Sequence, residues 1–436
     1  MLDKRCQMHL GIFFLATGNH VAGWRFPDAV IRGDDIEGLV KVAVAAEQAK
    51  YDFVFIADSP ASQLTGHPSQ MLRLEPATLI SALAMRTSQI GLVATMSSTF
   101  IEPYNLARLI CSADHISHGR VGWNVVTSAT TQAADNYGRE IPSHDERYEI
   151  ATEYVEVVKG LWDGWEKDAI IADAGTGEYL DRGKVHALDH KGKYFSVKGP
   201  LNLSRSPQGQ PVIVQAGSSP TGQRFAALYG EAIFTIQQDI DEARAFSKGL
   251  KEKAAAAGRN PEHCKILPGL FPVVGRTEAE AREKLAELAR SIVPGSAMKV
   301  MADRYGHDLS QYPLDGPVPE LPATNAIQSF AKVMLAKARR ENLTIKDLHD
   351  IFALSRGYLL VVGTGAMIAD TMEEWFTSGA CDGFMLTPAY FPGALDDFSE
   401  LVIPELQRRG IFRREYEGAT LRSHLGLPVP KNRFET

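Results

Sequence analysis

The polar residues that could do chemistry in this chain stand where short apolar runs end. Asp58 and Ser59 close FVFIAD, Thr95, Ser97, Ser98 and Thr99 close IGLVATMSST, Asn124, Thr127 and Ser128 close RVGWNVVTS, and Gln215, Gly217, Ser218 and Ser219 close PVIVQAGSS. One of these groups is a carboxylate and the rest are neutral. A hydrolase needs a base beside a nucleophile, a carboxylate pair or metal ligands. A surface of neutral donors and acceptors instead suits a large polar cofactor that carries the reaction itself.

Two helix starts add to this set. Ser143, His144, Asp145 and Glu146 fit the capping box S-x-x-E, and the apolar spacing of Ile150, Ala151, Tyr154, Val155, Val158, Leu161 and Trp162 continues it as a helix. His144 and Tyr148 are four apart and share a face of its first turns. Ser219 before Pro220 reads as an N-cap with proline at the first helical position, opening TGQRFAALYG. Unpaired N–H groups and the helix dipole favour an anion at such places. Ordinary capping accounts for Ser143 and Ser219 equally well without a ligand.

Three other patterns carry less. LLVVGTGAMIAD at 359–370 has Gly363 and Gly365 but Ile368 where a dinucleotide fingerprint needs its third glycine, and reads as a loop leading to a surface helix. AGSSPTG departs from the nucleophile elbow G-x-S-x-G, because proline follows Ser219 and the glycine comes one residue late. His186, Asp189 and His190 have metal-ligand spacing, but they lie in a stretch without regular structure to fix them, so no metal site is expected.

The elements that must position these residues alternate between apolar runs and amphipathic segments. Eight runs read as strands: 9–18, 52–58, 89–98, 120–128, 211–219, 232–238, 265–275 and 382–390. Most are followed by a helix-length segment. Residues 102–118 place Leu106, Leu109, Ile110, Ala113 and Ile116 on one stripe, with Pro103 near the start and Gly119 past the end. Eight such units predict an α/β fold of the (β/α)8 TIM-barrel type, in which the polar strand ends form the active site. The whole chain, 1–436, is expected to be one such domain with insertions at about 163–210 and 291–357, both expected over the barrel mouth.

Composition excludes several classes. With 46 Lys plus Arg against 53 Asp plus Glu, a net charge of -7 and no basic block, nucleic acid is not an expected partner. Cys6, Cys111, Cys264 and Cys381 form no CxxC pair, so buried free thiols in a cytoplasmic protein are expected. The apolar part of MLDKRCQMHLGIFFLATG falls short of the roughly 20 residues a membrane span needs and reads as a first strand.

SHGRVGWNVVTSA at 117–129, with TFIEPYNLARLICSADHI before it, resembles the signature region of flavin-dependent monooxygenases of the bacterial luciferase-like superfamily. FVFIAD, LEPATLISALA, HDERYEIA, GKYFSVKGPLN, PVIVQAGSS, ARRENLTI and VIPELQRRGIFRREYEGATLRSHLGL extend the likeness over nearly the whole chain. They point to the subgroup of nitrilotriacetate monooxygenase component A, EDTA monooxygenase, dibenzothiophene sulfone monooxygenase, pristinamycin synthase and alkane monooxygenase. The resemblance implies a TIM barrel using reduced FMN (FMNH2), dioxygen as co-substrate, and a separate NAD(P)H:flavin reductase, the only user of NAD(P)H. Positions matching the family's flavin contacts are Asp58, Thr95, Val126, Thr127, Ser128, His144, Tyr148, Ser218 and Ser219. By that likeness Asp58 and Thr95 lie near the ring, and Tyr148, Ser218 and Ser219 reach the phosphate.

The relatives further imply oxidation beside nitrogen or sulfur with C–N or C–S cleavage, and a homo-oligomer, dimer or tetramer. An aminopolycarboxylate or modified-cysteine substrate fits Arg73 and His67 in the loop after the second strand. Alternatives are sulfone or alkane oxidation, an F420-dependent oxidoreductase, and a flavin-binding protein without catalysis. Some relatives carry histidine directly after VVTS where this chain has Ala129, which leaves His144 and His20 as candidate proton donors.

Overall fold

The computed structural model describes residues 7–435 apart from 63, 65, 66, 129, 218, 294 and 321–327. Nine strands form its main sheet: β1 His9–Phe14, β2 Phe53–Ile56, β3 Gly91–Ser97, β4 Val121–Val126, β5 Val212–Gln215, β6 Ala232–Thr235, β7 Lys265–Gly275, β8 Leu359–Thr364 and β9 Gly383–Leu386. Eight of them close a parallel barrel in the order β1-β2-β3-β4-β5-β6-β7-β9, with β9 returning to β1 and β6 pairing with β7.

The ninth strand corrects the sequence reading of 359–370 as a loop and surface helix. β7 is eleven residues long, and its partners β6 and β9 pair no further than Pro268 and Leu270. Leu270 to Gly275 would then present open backbone groups, and Leu359 to Thr364 pair with them in parallel. Thr364 caps the following helix, Gly365–Thr377, which buries Ile368, Met372 and Trp375.

The period of two along each strand sorts side chains into two cores. Leu92, Ala94, Met96, Val121, Trp123 and Val125 face the surrounding helices. Phe13, Phe55, Val93, Val214, Phe234 and Met385 fill the barrel lumen, where Phe13 lies 5.2 Å from Phe234 between ring centroids. Helix Pro103–Ile116 forms as expected, with proline in its first turn, but Leu109 and Ile116 of the expected stripe are exposed while Ala107 and Cys111 are buried.

The C-terminal segment seals the end where the strands begin. Leu421 and Leu425 enter the lumen core, and Leu421 N–H donates to Gly119 O at 3.0 Å. A Cβ on Gly91 would meet Leu421 Cδ1 at 2.5 Å, so the close approach of the tail requires glycine there. Arg422 pairs with Glu231 at 2.7 Å, and Arg413 pairs with Asp52, which also binds His9 and Leu10 N–H. The segment after Gly410 thus packs on its own barrel.

The two insertions differ. The first follows helix His144–Trp162, so it starts at the sealed end and runs outside the helices, with Ser204 O bound by His115 and Ser206 and Gln208 bound to buried Asp114. The second builds a helical core of Met301, Tyr305, Leu348 and Phe352, and reaches the strand-end loops through Ala353 O, which accepts from Val21 N–H at 3.3 Å. Cys111, Cys264 and Cys381 are buried free thiols. Among the described residues no helix is long and apolar enough to cross a membrane.

Candidate active site

At the C-terminal ends of β2, β3 and β4 the chain encloses a cavity of about 340 Å³. Asp58, Thr95, Val126 and Ser128 line it, as do Gln70, Arg73, Ile101 and Tyr137. β3 and β4 pair in register with Thr95 opposite Asn124, and Asn124 Nδ2 donates to Thr95 Oγ1 at 2.9 Å. Both are buried, and Asn124 Oδ1 has no hydrogen-bond partner among the described residues. Asp58 stands half-buried in the loop after β2. Burial pushes its carboxyl up to about 6, against the opposing charge of Arg73.

A second cluster lies where β4 and β5 give way to helices. Burial raises the Tyr148 phenol, whose hydroxyl is hydrogen-bonded to the side chains of Ser219 and Thr127 and so ties both strand exits to helix His144–Trp162. Ser219 caps helix Pro220–Tyr229 by accepting from Gly222 N–H at 3.0 Å. A Cβ on Gly217 would stand 2.7 Å from Tyr148 Oη, and one on Gly222 2.9 Å from it, so two glycines admit the tyrosine hydroxyl to the helix start. Gln215 Oε1 is buried here without a partner among the described residues.

Ser143 caps its helix at 3.4 Å through Glu146 N–H, the forward half of the expected capping box. His144 packs on Tyr148 with ring centroids 5.2 Å apart and holds Asp145 Oδ1 through Nδ1 at 3.0 Å. Asp145 Oδ1 also accepts from Thr221 Oγ1 at 3.1 Å, which locks the two helix starts together. The carboxyl of Asp145 is held below its usual range by these bonds, that of His144 first.

His20 differs from its sequence reading. It is fully buried, accepts Ala22 N–H on Nδ1 at 3.0 Å, and lies outside the lining of the 340 Å³ cavity. Burial lowers its pKa to about 4, so it is neutral at physiological pH and cannot be a ready proton donor in charged form. Ser218 and Ala129 lie outside the described residues. His186 and His190 are bound to Glu166 and Glu153 at 2.7 and 3.0 Å in the first insertion, and no metal-holding group is found among the described residues. Sequence reasoning missed Gln70, Ile101 and Tyr137. These come from loops and helix ends whose spacing has no period, and only the stacking of Tyr137 on Phe100, at 5.0 Å, turns that ring toward the mouth.

A closed parallel barrel with its polar groups and its cavity gathered at the strand ends defines a TIM-barrel enzyme. Residues 8–382 match the family described as Luciferase-like monooxygenase. The chain is 48% identical, over all of both proteins, to N-acetyl-S-(2-succino)cysteine monooxygenase of Bacillus subtilis (strain 168). It is 44% identical to nitrilotriacetate monooxygenase component A of Aminobacter aminovorans, over 98% of each chain. A solved structure of riboflavin lyase with modified FMN and riboflavin superimposes with a TM-score of 0.86 at 35% identity, covering 97% of this chain and 96% of that one. The chain belongs to the luciferase-like monooxygenase family and is a monooxygenase.

Proposed function

We propose that this chain is the oxygenase of a two-component system, taking FMNH2 from a separate NAD(P)H:flavin reductase and using dioxygen to oxidise a small anionic substrate. One oxygen atom enters the substrate beside nitrogen or sulfur, the other leaves as water, and collapse of the hydroxylated carbon breaks the C–N or C–S bond. The observation that carries this reading is the union of a cavity lined by Asp58, Thr95, Val126 and Ser128 with the polar cluster of Thr127, Tyr148 and Ser219 at a helix start.

These residues fit FMN. Asn124 Oδ1 and Gln215 Oε1 are buried acceptors without partners among the described residues, and the flavin ring carries N–H groups that could satisfy them. Tyr148 and Ser219, with the Pro220–Tyr229 helix start, suit the phosphate. Bound reduced FMN supplies the electrons that activate dioxygen. The protein's part is to orient the ring through Asp58, Thr95 and Asn124, and to keep water from it with Val126 and Ile101. His144, packed on Tyr148, orders the phosphate end. The high similarity to enzymes named for nitrilotriacetate and a succinylated cysteine supports an acidic, heteroatom-bearing substrate.

The test is oxygen uptake with FMN, NADH and a general flavin reductase, in the presence of N-acetyl-S-(2-succino)cysteine or nitrilotriacetate. Substrate-dependent product is expected only with the reductase, and reduced FMN should bind more tightly than oxidised. Turnover with NADH alone, or equal affinity for both redox states, would overturn the two-component reading.

A further inference from the structure

The loop after β2 gives the cavity wall two polar side chains that the rest of the chain leaves unanswered. Gln70 and Arg73, three apart in the sequence, both line the cavity. Gln70 Oε1 is buried without a hydrogen-bond partner among the described residues. Arg73 makes no hydrogen bond or salt bridge among them, and it is the one cation among the described residues of the lining. Of the carboxylates there, Glu75 caps the next helix, accepting from Ala77 N–H at 2.9 Å and Thr78 N–H at 2.8 Å. Asp58 acts on Arg73 through its charge, with no salt bridge between them. A half-buried guanidinium without a paired anion, beside a buried amide oxygen without a donor, is a costly arrangement. A bound molecule that offers both a carboxylate and an N–H relieves both costs.

The segment that carries these two groups is fastened on either side of them. Helix Pro68–Met71 is capped by His67, which accepts Ser69 N–H at 3.2 Å, and Ser69 Oγ lies 2.7 Å from Thr17 Oγ1 in the loop after β1. Met71 O accepts from Ser62 Oγ at 2.7 Å. A Cβ on Gly33 would stand 1.9 Å from Leu72 O, so the loop after β1 lies directly against the backbone between Gln70 and Arg73. A backbone held in this way presents the two side chains at a set spacing, and a ligand that matches them binds without first ordering the loop.

We propose that Gln70 and Arg73 form the substrate-recognition wall of the cavity, Arg73 pairing with a carboxylate of the substrate and Gln70 Oε1 accepting an N–H of the same molecule. This deepens the oxygenase reading above and rests on it for what becomes of the bound molecule. The substrate class it names is an acylamino acid, a carboxylate that carries an N–H, since sulfones and alkanes offer neither group. Guanidinium and carboxylate match as a fork of two parallel hydrogen bonds. The buried amide oxygen rejects an analogue without the donor, because it then stays unpaired.

The test is calorimetric binding to the full chain of N-acetyl-S-(2-succino)cysteine, its N-methylated amide and its neutral methyl ester. We expect the acid to bind, the ester to bind about 30-fold more weakly, and the N-methylated acid about tenfold more weakly. Gln70→Leu should bring the acid and its N-methylated form to equal affinity while the acid–ester difference stays. Arg73→Met should do the reverse, and Arg73→Lys, which keeps the charge and loses the fork, should retain part of the acid–ester difference. Neither side chain has a hydrogen-bond partner among the described residues, so the variants are expected to melt close to wild type. No binding of the acid, or unchanged discrimination in either variant, would overturn the recognition wall. A fall in FMN affinity as large as that for the acid would overturn it too, by making both residues flavin contacts. The expected discrimination, with no oxygen uptake in the reductase assay, would keep the recognition wall and sink the oxygenase reading.

Discussion

Asn124 Nδ2 donates to Thr95 Oγ1 at 2.9 Å across the β3–β4 ladder, which points the amide oxygen of Asn124 into the barrel with no partner among the described residues. The bond holds Thr95, which lines the cavity, and leaves Asn124 with a buried acceptor beside it.

Asn124→Leu should therefore separate stability from flavin binding. Removing a buried unsatisfied carbonyl saves about 1–3 kcal/mol against the loss of one hydrogen bond of roughly 1 kcal/mol. The flavin-free protein is expected to melt at the same temperature or higher, with FMN affinity reduced at least tenfold. A large fall in melting temperature with unchanged affinity would make Asn124 a packing residue.

Tyr148→Phe and Ser219→Ala address the other end of the site. Tyr148→Phe removes a hydroxyl that joins Thr127 to Ser219, and Ser219→Ala removes the cap on Gly222 N–H. Loss of an N-cap costs about 1 kcal/mol, so a modest drop in melting temperature accompanies Ser219→Ala. Flavin titration should show both weakened about tenfold or more, and affinity unchanged in both would return these residues to capping alone.

Asp58 gives a pH signature. Its carboxyl is pushed up to about 6 by burial, so activity that needs the ionised form falls as pH drops through that value. The rate profile of kcat/KM with a saturating reductase is expected to show an acid limb near pH 6. Asp58→Asn should abolish that limb, and a limb that persists in the variant assigns it to another group.

His20 gives a stability signature. Its folded pKa, about 4, lies below the unfolded value near 6.5, so the unfolded chain binds more protons between the two. Its contribution is present above pH 6.5 and is lost as pH falls toward 4. His20→Gln should flatten this part of the denaturation-midpoint profile relative to wild type. Equal slopes in both proteins would show that His20 titrates normally.

Arg120 of the signature SHGRVGW is a structural arginine. Its guanidinium donates to Ile90 O at 2.8 Å, Ala84 O and Thr87 O at 3.0 Å and Ser117 O at 2.8 Å, at the sealed end of the barrel. Arg120→Leu strands these carbonyls and should cost on the order of 3 kcal/mol. Denaturant unfolding measures it, and flavin affinity of the folded fraction is expected to stay unchanged.

What was legible in the sequence follows from periodicity and local caps. Runs such as QIGLVATMSS and RVGWNVVTS show their strands, and Ser143 and Ser219 show their helix starts, because strand pleat and N-capping act over a few residues. The strand ends carrying Asp58, Thr95 and Ser128 were found for the same reason, and the structure lines one cavity with them.

What only the tertiary structure decided are relations between distant segments. β8 was misread because its reason to exist is the unpaired half of β7, about a hundred residues earlier. His20 stood in the sequence as a candidate proton donor, and the fold buries it outside the cavity lining. In the sequence, the neutral polar groups at strand ends pointed to a large polar cofactor, and the family resemblance pointed to reduced FMN. The tertiary structure decided which charges meet around the pocket, because hydrogen-bond and charge partners are set by barrel closure rather than by neighbours along the chain.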